Sequence, residues 1–222
     1  MSHSIVRQLV VKDLRLARLL VAGSFATGVL SLAVSPWSKV AFFVGCSVFV
    51  VVLVLLNVMH VSTSVIGDRK EKTRLFFLSM PVSTTQYNVA KLVSSLIVYA
   101  VPAALLTLAA IALLLATPLP NGFIPLTVAV AVHCLLYFCV FLAVGLVTDS
   151  AGWMTTVIVG GNVSVSFVIP FLLNLPSLQP SLGTETAVWG ADLVGFMAIE
   201  LALCAAALVI SFVVNSRKTE FV

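Results

Sequence analysis

Twenty-eight consecutive residues without a formal charge, Val40 to Gly67, run directly into Asp68-Arg69-Lys70-Glu71-Lys72-Thr73-Arg74. As a helix, residues 40–61 would extend about 33 Å, enough for a hydrocarbon core of about 30 Å. The charge cluster cannot follow them into that core, so it marks a membrane face. Hydrophobic residues make up 61% of the 222-residue chain and charged residues 9%, with a mean hydropathy of +1.19. A soluble domain carries about 25% charged residues, so that class is excluded. Nucleic-acid binding is excluded as well, because the +4 net charge has no folded polar surface on which to sit.

Uncharged runs and turn residues divide the chain into six spans. Span one is Leu16 to Val34, closed by Ser35-Pro36-Trp37-Ser38-Lys39, and span two is Val40 to Val61. The 57 uncharged residues from Leu92 to Thr148 are too long for one helix. Pro118-Leu119-Pro120-Asn121-Gly122 breaks them into spans three (to Ala116) and four (from Phe123). Asp149-Ser150-Ala151-Gly152 leads into span five, Trp153 to Leu175. A loop rich in Pro and Ser precedes span six, Val188 to Val214. The run from Leu19 to Ser38 follows basic residues as a signal peptide would, but no small-residue cleavage site ends it, and it reads as a retained helix.

Lys and Arg set the orientation. With the N-terminus cytoplasmic, Arg7, Lys12, Arg15, Arg18, the five basic residues from Arg69 to Lys91, Arg217 and Lys218 all lie inside. Only Lys39, the twelfth, lies outside, a strong positive-inside bias. Trp37, Trp153 and Trp189 fall at span ends, where aromatic belts form. The expected fold is therefore an all-α membrane protein with a single domain over 1–222 and both termini cytoplasmic. Six transmembrane helices are preceded by an amphipathic interfacial helix over 1–15. That helix gathers Arg7, Gln8, Lys12, Arg15 and Arg18 on one side and Ile5, Val6, Leu9, Val10 and Leu14 on the other, with Val11 and Asp13 as exceptions. The alternative is that it extends span one by two turns.

The polar loop, 62–91, has internal order: charges, then Leu75 to Ser79, then Met80-Pro81-Val82, then Ser83 as an N-cap for a helix starting near Thr84. A short amphipathic element ahead of a capped helix suits docking to a soluble partner, and a plain solvated connection is the other reading. The charge run, Leu-Ser-Met-Pro-Val-Ser and then Lys91 resemble the cytoplasmic loop of ABC-2 type transporter permeases, and the whole chain resembles them in layout. The resemblance implies a transmembrane permease subunit of an ATP-binding cassette exporter that moves a hydrophobic or amphipathic drug, peptide or lipid. It implies a coupling helix docked on a separate ATPase subunit, with Asp68, Arg69, Glu71 and Arg74 making polar contacts and Leu75 and Phe76 forming an apolar plug. It also implies pairing with a second permease, as a homodimer or a heterodimer, in the lipid of a prokaryotic inner membrane. ATP and Mg would sit on the partner, since this chain has no G-x-x-x-x-G-K-[ST] loop and no cofactor or metal motif of its own.

Inside the spans, Glu200 is the one acidic residue far from an end, and His133 lies mid-span. A charged side chain at bilayer centre costs about 2.5–3.5 kcal/mol on insertion scales, so Glu200 must face protein or water. It either lines a substrate path or is protonated or paired between helices. His60 and His133 each read as hydrogen-bonded to a neighbouring helix, with proton relay as the alternative. Ala191, Gly195, Ala198, Ala202 and Ala205 form a small-residue stripe for close packing, within the subunit or at a dimer seam. Gly23, Gly28, Gly160 and Gly161 invite the same reading, and Pro102 and Pro170 are expected to kink their spans. Asn162-Val163-Ser164 matches a glycosylation triplet but lies within span five. Cys46, Cys134, Cys139 and Cys204 read as small apolar residues. An intramembrane enzyme lacks the motifs it would need. A self-sufficient secondary transporter or channel is the alternative function, and it calls for more intramembrane charge or internal repeats.

Overall fold

A computed structural model describes residues 2–66, 84–148 and 150–217. Six long helices carry the fold: α1 (Ser2–Val34), α2 (Lys39–Val61), α3 (Thr84–Ala116), α4 (Phe123–Val147), α5 (Ala151–Leu173) and α6 (Ala191–Arg217). Each contains a stretch long and apolar enough to cross a membrane. Their ends follow the sequence rules. Ser38 and Ser150 accept from the backbone N–H groups of Ala41 and Trp153, and so cap α2 and α5. Short 3₁₀ turns, Ser35–Trp37 and Gln179–Ser181, lie in the connections, and a π turn, Ser62–Ile66, follows α2.

Three contacts fix which ends meet. The Phe42 and Phe123 rings are 5.0 Å apart, joining the α1–α2 corner to the start of α4. Asn121 Nδ2 donates to the Glu185 carbonyl at 3.0 Å and the Gly122 N–H to the Thr184 carbonyl at 3.2 Å, joining the α3–α4 turn to the α5–α6 loop. At the opposite end, Lys91 Nζ meets Asp13 Oδ2 at 3.1 Å and Ser94 Oγ donates to the same oxygen at 2.9 Å. Helices consecutive in sequence thus run antiparallel, and the starts of α1 and α3 share one end. Both are 33 residues long, about 50 Å. Both begin ahead of their apolar windows, which open at Val10 and Val89. Together they extend beyond the apolar layer at the end of the bundle where α2 finishes and α3 begins.

α1 is continuous from Ser2, with no break near residue 15 that would turn an interfacial helix into a span. Extension of span one is the geometry observed. Asp13, which interrupted the apolar side of the helical wheel, is the residue held against α3. α4 forms the centre of the bundle, touching α2, α3, α5 and α6. Its apolar window is 56% buried, against 11% for α5. Phe138, Phe141 and Leu142 are fully enclosed, with Tyr99 of α3 stacked on Phe138 at 4.2 Å. α3 and α5 continue through Pro102 and Pro170.

The loop between α5 and α6 folds back as a cap. Leu175, Leu178 and Ser181 are buried, and the Ser181 carbonyl lies so close to Gly122 that no side chain fits there. Asp192 remains exposed and accepts from the Ser177 hydroxyl and the Ser177 and Leu193 N–H groups, tying this cap to the first turn of α6.

The small-residue stripe is where structure and expectation part. Ala191, Ala198, Ala202 and Ala205 are exposed, and a Cβ on Gly195 would meet nothing. The stripe therefore does not pack within the subunit: α6 turns its Glu200 and Cys204 side to α4 and its small residues outward. Of the glycines, Gly28 abuts Leu106 and Gly161 abuts Tyr137, while Gly23 and Gly160 face open space.

Candidate functional site

His133 of α4, Ser164 of α5 and Glu200 of α6 meet at one point. Each lies about ten residues, or about 15 Å, from the end of its helix nearest the α5–α6 loop, so all three share one depth near the middle of the apolar layer. His133 Nδ1 is 2.5 Å from Glu200 Oε1, and His133 Nε2 is 3.1 Å from Ser164 Oγ. The Ser164 hydroxyl donates to the Gly161 carbonyl at 2.8 Å. Glu200 is 4% exposed and His133 7%, so water reaches neither directly. Glu200 Oε2 is buried with no hydrogen-bond partner among the described residues.

Two proton arrangements fit these distances. With the Ser164 O–H on the Gly161 carbonyl, Nε2 carries the hydrogen between His133 and Ser164; with that O–H turned to Nε2, the ring is protonated at Nδ1 alone. The short Nδ1–Oε1 contact then needs a proton of its own, on imidazole or on carboxyl. Without it, a lone pair would face a carboxylate in an apolar surrounding, which is strongly unfavourable. A proton therefore lies between Nδ1 and Oε1 in either arrangement, and the Nε2 proton is the one that can be present or absent.

The order Ser–His–acid is also that of a nucleophilic triad. Ser164, however, lies in mid-helix, where the nearby backbone N–H groups are spent on helix hydrogen bonds. A tetrahedral acyl intermediate would find no pair of N–H donors for its oxyanion there. Holding and passing a proton is the chemistry this geometry serves.

Of the residues singled out from the sequence, Glu200 and His133 are brought together, and the paired reading of Glu200 is the one observed. Asp68, Arg69, Glu71, Arg74, Leu75 and Phe76, the expected docking residues, lie outside the described residues. His60 departs from expectation: it is 1% exposed, yet neither ring nitrogen has a partner among the described residues. Asn57, one turn earlier on α2, is likewise buried and unsatisfied. Ser164 was missed as a site residue. Its one signal in the sequence was membership of a triplet whose glycosylation reading fails inside a membrane span.

A groove of about 530 Å³ lies between α2 and α5 in the half of the bundle nearer the loop cap. Phe49, Val54, Leu114, Val130, Val165 and Ile169 contribute to its mostly apolar wall, and Ser47, Thr127, Asn162 and Ser166 add polar points. Phe43 and Val51, on its α2 side, are exposed, so it opens laterally. No protein-family model, no curated protein and no solved structure matches the chain.

Proposed function

We propose that the chain is the membrane-spanning subunit of an ATP-driven exporter of the ABC-2 type, working with a separate ATP-binding subunit. The observation that carries this reading is the loop 62–91, with its ordered charges and Leu-Ser-Met-Pro-Val-Ser motif, set between α2 and α3. Lys91, on the first turns of α3, is ion-paired to α1. A force applied to the loop would therefore reach α1 and α3 as one body rather than being absorbed in a hinge. In this reading the loop and both termini face the cytoplasm of a prokaryotic cell, in keeping with the distribution of Lys and Arg.

The outward small-residue face of α6 suits close approach of a second permease. The lateral, largely apolar groove suits a hydrophobic or amphipathic cargo entering from lipid. Co-purification from native membranes in mild detergent tests the proposal. A stoichiometric Walker-motif ATPase, lost when Leu75 and Phe76 are both changed to Asp, is the expected result. Folded protein that never brings down an ATPase overturns it.

A second reading, a self-sufficient secondary transporter, draws support from the buried His133–Glu200 pair, since ionisable groups in mid-membrane commonly serve coupling ions. It predicts transport by the purified chain alone, driven by an ion gradient.

A further inference from the structure

We propose that His133, Glu200 and Ser164 form an exchangeable proton-binding site, and that its proton enters and leaves through the Ser164 hydroxyl. The site is built from three helices at one depth, with partners at 2.5 and 3.1 Å, and its Nε2 faces a hydroxyl able either to accept a hydrogen bond from it or to donate one to it.

The release step balances as follows. In the loaded state, Nε2–H donates to Ser164 Oγ and one proton is shared between Nδ1 and Oε1, so the site is neutral. On release, the Nε2 proton leaves by way of Ser164 to water, and the shared proton settles on Nδ1. The products are a neutral imidazole, now protonated at Nδ1, a Glu200 carboxylate bonded to that N–H, and one hydrated proton. The charge of the site goes from zero to minus one. The Ser164 O–H then swings from the Gly161 carbonyl to the bare Nε2 nitrogen, so the hydroxyl has a partner in both states.

The surroundings make this change costly when dry and feasible when wet. Around Glu200, α4 contributes His133 and Cys134, and Tyr99 of α3, stacked on Phe138, has a buried hydroxyl without a partner among the described residues. α6 itself adds Cys204 one turn away and exposed Asp192 near its start, and α5 has no titratable side chain at all. His60 of α2 sits near the opposite end of the bundle from the loop cap, well removed in depth from this site. No described cation faces Glu200, so a net negative charge there needs water. The partnerless Glu200 Oε2 offers such water an acceptor. Loading therefore favours the closed packing of α4, α5 and α6, and unloading favours a state in which water reaches Ser164.

This inference does not depend on an ATPase. The test uses the full chain in vesicles of phosphatidylethanolamine and phosphatidylglycerol, taken between mildly acid and mildly alkaline buffer while infrared difference spectra are recorded. The expected result is a protonated-carboxyl C=O band that appears with acid, is absent from E200Q, and shifts along the pH axis in H133Q. A wild-type spectrum whose pH-dependent carboxyl, carboxylate and imidazole bands all match those of E200Q means the site exchanges no proton, and overturns the proposal. If E200Q does not fold, H133Q carries the test, and a band at the same pH as in the wild type overturns the proposal equally. Neither result alters whether an ATPase co-purifies, so this site and the exporter reading fail separately.

Discussion

Gly161 and Gly160 are neighbours with opposite surroundings. A Cβ on Gly161 would enter the Tyr137 ring, whose hydroxyl donates to the Ile158 carbonyl at 3.1 Å, while a Cβ on Gly160 meets nothing. The Tyr137 ring cannot yield without losing that hydrogen bond and disturbing α4 one turn from His133. Gly161→Ala is therefore expected to destabilise the protein by about 1–3 kcal/mol, the usual cost of overpacking. Gly160→Ala should be neutral, or stabilising by up to about 1 kcal/mol through helix propensity. Thermal unfolding of both variants in detergent checks the contrast, and equal losses would refute the packing account. The sequence showed a Gly pair. Only the azimuth of α5 against α4 separates the two members.

At the scale of elements, the pairing of α1 with α3 depends on Asp13, Lys91 and Ser94. Lys91 is 4% exposed, so its charge is largely out of water and must be compensated. Removing one partner leaves the other charge buried, whereas removing both leaves two neutral groups. Lys91→Met is accordingly expected to cost about 3–5 kcal/mol. The double variant Asp13→Asn/Lys91→Met should recover a substantial part of that loss. Chemical unfolding in mixed micelles measures both, and a double variant no better than the single would show that Asp13 is not the compensating charge. From the sequence, Asp13 was an irregularity on an amphipathic wheel and Lys91 one basic flank among several. Their partnership spans 78 positions of sequence and could not be read locally.

For the whole molecule, the antiparallel order of six helices makes a prediction about sidedness. The loops between α1 and α2, α3 and α4, and α5 and α6 share one end, with Lys39 among them, while Arg7 and Arg217 belong to the other. In a background free of native cysteine, Lys39→Cys in intact cells should react with a membrane-impermeant maleimide. Arg217→Cys should react only after the membrane is opened. The reverse pattern would invert the orientation and place loop 62–91 outside, where no ATPase could reach it.

The sequence by itself determined the membrane class, six spans with ends within a few residues of those observed except at the long starts of α1 and α3, and the asymmetry of charge between the two faces. These follow from transfer free energies and helix geometry, which act on each segment alone. Which side of each helix turns inward was decided only by tertiary packing, because lipid is as apolar as the residues it meets and hydrophobicity cannot mark a core face. That is why the small residues of α6 were expected inside and lie outside. It is also why Glu200 and His133 were each legible as costly groups in need of a partner, while their union with Ser164, across 67 and 31 positions, was not. Three helices had to take their places around α4 before the requirement that every buried polar group find a partner could bring those side chains together.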